Sequence, residues 1–581
     1  MAQQKKVPAK KAAPPAGSGA QQYTDRHPRP VETGFEKAVL APSLSSAELA
    51  AVDVHECTPT KIKKTGSNGD ETRYKGADGK PSYIGNFHKG LKHNDFGEVV
   101  RSEYQAMLKA LKNGSGFDKI PLDLGRKLVN PQAGLATDVE GPDPKDMEIL
   151  SAPRLDSAEE AAEAVELYWM ALLRDVPFTG FATHAKVAEA ADEISKLTEF
   201  TGPRIGGKVT PQTVFRGCSM GDNVGPYLSQ FLLLPIPYGS LTISQRQTTV
   251  LGEPDLGPKK ADYLTTFDEW LAIQNGLDNT NPPLDKLDPT PRHIRNMRDL
   301  GRYVQVDALY EAYLNACLIL LGNPKVLLDP GNPYDITKNP PHPDSKNQIG
   351  FGTFGGPHIL SLVTEVATRA LKAVWFQKWF VNRRLRPEAF GGLIHVKREG
   401  VKGTKRDYPI HDQILNSKAL AETRSKFGSY LLPMAFPEGS PTHPAYGAGH
   451  ATVAGACVTI LKAWFDEDQP LPWTPQVSNA KGDGLEDYTG PDAGQLTVGG
   501  ELNKVAANIA IGRNMAGVHW RSDYLESVKL GEKVALSILY KQRKTYNEKG
   551  WSFTLRTFEG EKVTVSEKGV FDSKGKRVQL P

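Results

Sequence analysis

Between Ser157 and Tyr546 apolar residues recur at helical rather than strand spacing, and this period constrains the fold more than any other feature of the chain. The stretch Ser157-AEEAAEAVELYWMALL opens with Ser157 and places Glu160 three residues on, a capping-box pattern ahead of an amphipathic helix. Residues 292–321 read as one long helix, stopped by Gly322-Asn323-Pro324. Residues 358–385 form another, with Ile359, Leu362, Val363, Val366, Ala370 and Val374 on one stripe. A Gly/Ala-rich helix start lies within 442–465, and 497–546 has room for at least two helices. The last 30 residues alternate apolar and polar around Glu-Gly and Lys-Gly turns, the pattern of small β-hairpins.

The N-terminal side is different. Residues 1–22, rich in Lys, Pro and Ala, cannot bury enough apolar surface to offset ordering entropy and read as a disordered basic tail. Residues 23–150 are loop-rich, with one clear helix at 104–112, and are expected to pack on the core. The division is therefore 1–22, 23–150, a helical domain at 151–546 and a β-hairpin tail at 547–581. The class is mainly α: a large helical bundle with a loop-rich N-terminal region and small C-terminal β-hairpins.

At 581 residues the chain can bury a sizeable core, and a net charge of +4 gives no nucleic-acid-binding footprint. No stretch approaches the roughly 18 apolar residues of a membrane span, and the N-terminus lacks the apolar core of a secretory signal. Cys57, Cys218, Cys317 and Cys457 lie far apart and read as free core thiols, which fits a reducing compartment. Together these features point to a soluble, cytoplasmic protein without membrane or nucleic-acid partners.

Three distant stretches carry chemistry. KWFVNRRLRP holds Lys378 and Arg386, HPAYGAGHA holds His443, Gly449 and His450, and RNMAGVHWRSD holds Arg513, His519 and Asp523. An oxyanion needs several positive donors around its equatorial oxygens and an acid or nucleophile at its axial ends, and this set supplies both. Pro387 biases Arg386 out of the helical region, so the helix ends before it and the arginine can bend back toward Lys378. Gly449 precedes a small-residue helix whose N-terminus presents free N–H groups to an anion, with His450 in the first turn. His519 and Asp523 are four apart, so on a helix the carboxylate fixes one imidazole nitrogen and aims the other at a ligand. Each stretch alone has an ordinary explanation: a snorkelling lysine, a histidine at a glycine-rich helix start, a structural His–Asp pair.

Together, in this order and spacing, they resemble the vanadium haloperoxidase and type 2 phosphatidic acid phosphatase superfamily. The wider Lys378-to-Arg386 gap, His443 ahead of His450, GVHWRSD, FGTFGGPHIL and RRLRPEAFGGLI resemble its large algal-type bromoperoxidases. The resemblance implies one vanadate per subunit, with His519 as axial ligand held by Asp523. Lys378, Arg386, Arg513 and the Gly449 N–H would hold the equatorial oxygens. His450 would be the acid–base group toward hydrogen peroxide, Lys378 would polarise bound peroxide, and His443 stands where bromide-preferring members carry histidine. Implied partners are halide, hydrogen peroxide and organic acceptors, in a large homo-oligomer built from dimers. The chain departs from the pattern at Ala448 and Gly512, where the family carries serine. Ala448 removes a hydroxyl contact to the oxyanion worth about 1.5–3 kcal/mol, which predicts weaker vanadate binding.

Two other readings use the same residues. In a phosphatase, His519 would be the nucleophile and His450 would protonate the leaving group; chain length, spacing and His443 favour the peroxidase. A non-catalytic oxyanion-binding protein remains, through Ala448. Gly217-Cys-Ser219-Met-Gly221 matches a nucleophile elbow but is followed by Asp-Asn-Val-Gly-Pro, which cannot start a helix at once. Gly350-Phe-Gly352-Thr-Phe-Gly355 follows a proline-rich loop rather than a strand, so it is a turn. Asp483, Asp487 and Asp492 offer calcium-type oxygens without EF-hand spacing, and a solvated acidic loop is the preferred reading.

Overall fold

The computed structural model describes residues 65–257, 260–279, 285–337 and 341–581. The basic tail expected at 1–22 lies outside them. The helices that position the site are α1 (Arg101–Asn113), α2 (Ala158–Leu172), α3 (Met297–Val306), α4 (Glu311–Gly322), α5 (Gly356–Phe376), α6 (Pro387–Arg398), α7 (Gly449–Trp464), α8 (Val498–Met515) and α9 (Arg521–Gln542). Two short ribbons, β1 (Ile236–Tyr238) with β2 (Leu241–Ile243) and β3 (Gln476–Ser478) with β4 (Leu485–Asp487), lie outside the bundle core. The chain closes in an antiparallel meander, β5 (Ser552–Arg556), β6 (Lys562–Ser566) and β7 (Gly569–Asp572), as the alternating tail predicts.

Helix α7 is the axis of the bundle, buried almost throughout and packed against α9, α5 and α8. Its small residues are needed for that approach. A Cβ on Gly455 would stand 2.0 Å from the Val528 carbonyl of α9, and one on Gly531 would stand 1.9 Å from the Thr452 carbonyl of α7. The two glycines let α7 and α9 touch backbone to backbone, which fixes His450 on one helix relative to Asp523 on the other.

Four expectations need correction. Residues 292–321 are two helices, α3 and α4, bent by 99°. The break falls at Asp307, whose extended backbone (φ −60°, ψ 146°) ends α3, while Glu311 Oε2 accepts from Ala308 N at 3.0 Å across the turn that leads into α4. At α2 only half of the capping box forms. Ser157 Oγ accepts from Glu160 N at 3.1 Å, but the Glu160 carboxylate is drawn to Arg384. The helix of Lys378 does not run on regularly, since α5 passes into a π-helical turn at Gln377–Asn382 and stops at Arg383 in the left-handed region (φ 46°). Finally, Cys317 and Cys457 are free and buried, but Cys218 is disulfide-bonded, which removes the argument from four free thiols to a reducing compartment. Cys57 lies outside the described residues.

Among the described residues no single helix is long and apolar enough to cross a membrane; one bent pair, α3 with α4, passes by length and composition together.

Candidate active site

Burial brings the three stretches to one point. Lys378 is fully buried on the π-turn and donates from Nζ to the Pro444 and Ala445 carbonyls, at 2.9 and 3.0 Å. Arg386 is the extended residue before α6 and reaches both other stretches. Its Nε donates to His443 O (2.9 Å), Nη1 to Val518 O (2.7 Å) and to His519 Nε2 (3.1 Å), and Nη2 to His443 Nδ1 (2.9 Å). The Trp375 ring lies 4.8 Å from that of His443 and 5.6 Å from Lys378 Nζ. It also stands 3.1 Å from where a Cβ on Gly449 would sit, so glycine keeps the start of α7 open.

The third stretch arrives differently from the sequence expectation. His519 precedes α9, Trp520 is its N-cap, and Asp523 is its third residue. The spacing of four therefore acts across a helix start. Asp523 Oδ2 meets His519 Nδ1 at 2.6 Å and accepts from Trp520 N at 3.1 Å. Arg513, at the end of α8, donates from Nη1 to Val304 O (2.6 Å) and lies over the Phe436 ring. His450, in the first turn of α7, meets Asp307 Oδ1 through Nε2 at 3.1 Å and keeps 21% of its side chain exposed. Asp307 is three residues from Val304, so the last turn of α3 holds Arg513 and the break after it holds His450.

The electrostatics are those of a site built for an anion. Lys378, Arg386 and Arg513 are buried, and their partners are carbonyls and imidazoles; among the described residues no carboxylate pairs with them. Burial, reinforced by Arg386 and Arg513, holds the Lys378 ammonium well below the usual lysine range. Burial pulls Arg386 down to about 9 and Arg513 down to about 10. His443 and His519 are held well below the usual histidine range, first by burial and then by these cations, so both are neutral. Asp523 faces His519 Nδ1, so the proton sits there and Nε2 offers its lone pair. Arg513 Nε is buried and has no hydrogen-bond partner among the described residues. Uncompensated buried cations are costly, and an oxyanion at their centre would relieve all three. The donor set therefore fits vanadate or phosphate.

All the candidate residues, Lys378, Arg386, His443, Gly449, His450, Arg513, His519 and Asp523, thus fall in one connected cluster. Three others were not singled out in the sequence. Asp307 was hidden inside an expected helix, Trp375 passed as core, and Arg384 sat unremarked two residues before Arg386. Gly512 has a packing reason: a Cβ there would press on Leu300 and Val304 of α3 at 3.1–3.3 Å. Ala448 is the N-cap of α7 and has no side chain to cap with.

The other motifs stay outside this cluster. Asp483 accepts from Asn479, Asp487 from Gln476, and Asp492 from Gly225 N and Tyr488. They are engaged separately, and among the described residues no group of three or more His, Cys, Asp or Glu is arranged for a metal ion. Ser219 lies in a turn without a preceding strand, and Gly350–Gly355 is a loop leading into α5.

A helical bundle that encloses a buried cation–histidine cluster defines a class of protein suited to holding an oxyanion. Comparison with known proteins narrows it. The family model for the VCPO second helical-bundle domain matches residues 412–548. The chain is 39% identical over 583 residues to the vanadium-dependent bromoperoxidase of Corallina officinalis, covering 86% of this chain and 94% of that protein. It is 36% identical over 517 residues to that of Ascophyllum nodosum, covering 86% and 89%. The homohexameric structure of the second vanadate-dependent bromoperoxidase from Ascophyllum nodosum superposes with a TM-score of 0.79 at 32% identity, over 89% of each chain. The chain belongs to the vanadium-dependent bromoperoxidase family.

Proposed function

We propose that the protein is a vanadate-dependent haloperoxidase that oxidises bromide or iodide with hydrogen peroxide to a hypohalite-level halogenating species. The observation that carries this is the set of three buried cations that, among the described residues, meet carbonyls, imidazoles and aromatic faces but no carboxylate, beside His519 Nε2. Lys378, Arg386, Arg513 and the Gly449 N–H would hold the oxyanion's equatorial oxygens, and His519 Nε2 would bind the metal. Vanadate bound there supplies a Lewis-acidic centre at which hydrogen peroxide is activated toward halide.

The protein's own residues do the rest. Asp523 keeps the His519 proton on Nδ1 and so keeps the lone pair on Nε2, where it accepts from Arg386 Nη1 and would turn to the metal. His450 takes the proton from hydrogen peroxide, with Asp307 holding its Nε2 and leaving Nδ1 as the basic nitrogen. Lys378, fixed by two carbonyls, keeps its ammonium in place to polarise the bound oxidant. His443, neutral and tilted against the Trp375 ring, shapes the halide approach and supports the bromide preference. We take residues 151–546 as the catalytic unit, one vanadate per subunit, and a homo-oligomer built from dimers.

Peroxide-dependent bromination of a phenolic dye, with and without added vanadate and beside phosphate-ester hydrolysis, tests this reading. Bromination that requires vanadate is expected. Vanadate-independent bromination, or ester hydrolysis without bromination, would overturn it.

A further inference from the structure

Arg384 joins the three stretches. Through the chain it sits two residues before Arg386, and its carbonyl accepts from Ala445 N at 3.0 Å, next to the carbonyls that hold Lys378. Its fully buried guanidinium reaches the third stretch. Nη1 donates to Asp523 Oδ1 (2.7 Å) and Ser522 Oγ (2.8 Å), while Nη2 donates to Glu160 and to Glu163 Oε2 (3.1 Å) of α2. Glu163 in turn accepts from Ser522 N and Ser522 Oγ, both at 3.0 Å, and so caps the start of α9 from outside. The guanidinium plane lies over the Trp520 ring at 4.9 Å, and Trp520 Nε1 donates to Leu385 O at 3.0 Å.

We propose that Arg384, anchored by Glu160 and Glu163, is a positioning residue that sets the His519 imidazole through Asp523. The geometry divides the Asp523 carboxylate. Arg384 takes Oδ1, which leaves Oδ2 for His519 Nδ1 and fixes both the rotation of the carboxyl and the direction of Nε2. Only a planar fork reaches Asp523 with one nitrogen and α2 with the other. A lysine keeps the charge and loses the fork. This positioning role rests on the proposed role of His519, and the test separates the two.

The experiment compares vanadate and phosphate binding to the full-length protein by equilibrium dialysis, for wild type, Arg384→Lys and Glu163→Gln. Vanadate needs a bond from His519 Nε2, whereas phosphate needs only the cations and helix N–H groups. Arg384→Lys should weaken vanadate by roughly 10–100-fold, the usual cost of losing a partner behind a metal-binding histidine. Phosphate should change less than about threefold on the same cation count. Glu163→Gln, which keeps shape and folds if Arg384→Lys does not, should show the same asymmetry more weakly. Equal losses for both anions, or unchanged vanadate affinity in a folded variant, would overturn the proposal. Absence of vanadate binding by wild type would instead remove the proposed function.

Discussion

Ala448→Ser offers the most direct measure of how far this site departs from its family. Ala448 is 2% exposed, and its backbone (φ −81°, ψ 126°) is already in the region that N-cap serines use. Ser527 Oγ accepts from Ala448 N at 2.8 Å and Thr452 donates to Ala448 O at 2.8 Å, so the backbone is held whichever side chain is present. A serine there has two uses. Accepting from an N–H of the first turn contributes about 1 kcal/mol to the vanadate-free protein. Donating to an equatorial oxygen contributes about 1.5–3 kcal/mol to the complex, which is roughly a 10–150-fold gain in affinity. Equilibrium dialysis of vanadate against both proteins measures the second effect, and thermal unfolding without vanadate measures the first. A raised unfolding temperature with an unchanged dissociation constant would refute the argument that the missing hydroxyl is an oxyanion contact.

His519→Ala should abolish vanadate binding and bromination together, whereas His450→Ala should lower kcat by roughly 10²–10⁴-fold while vanadate affinity moves less than about tenfold; steady-state kinetics beside dialysis check both. Gly449→Ala should weaken vanadate and phosphate alike, because its methyl would meet Trp375 at 3.1 Å across the anion's approach; equal affinities would count against the open helix start. The C-terminal meander should loosen as pH rises. Thr554, Arg556 and Phe558 donate backbone N–H groups to Asp329, Glu467 and Glu532, whose carboxyls burial pushes up to about 7. Lys462, Lys529 and Arg556 face these groups and favour ionisation, while Asp466, Asp468 and Glu559 oppose it. Because the folded values lie above the unfolded ones, the stabilisation is full below about pH 4 and is lost as pH rises through 7. Hydrogen-exchange protection of β5, corrected for the intrinsic base-catalysed rate, should fall from pH 4.5 to 7.5 and then level off, and Glu467→Gln with Glu532→Gln should flatten the trend.

Much was legible because local rules set it. The apolar stripe of α5, the Ser157 cap, the Gly/Ala composition of α7 and the alternation of the tail follow from side-chain period and capping chemistry, which short windows of sequence contain. The motif residues were legible because an oxyanion demands cations, an imidazole and a helix start. Several features were not, and each depends on a partner distant in the chain. The 99° break between α3 and α4 follows no proline or glycine; it puts Asp307 against His450, which lies on another helix. The spacing of His519 and Asp523 fits a helix face in the sequence, yet tertiary packing starts α9 between them and turns the pair into a helix-start contact. Arg384 carries no local signal, since its meaning comes from Glu160 and Glu163 more than 200 residues away in the chain. The sequence alone determined which groups could bind an oxyanion. Only the tertiary structure decided that three cations would be buried without carboxylates among the described residues and that one arginine would hold the carboxylate behind His519. Both depend on what burial excludes, water and counter-charge, and burial belongs to the whole fold.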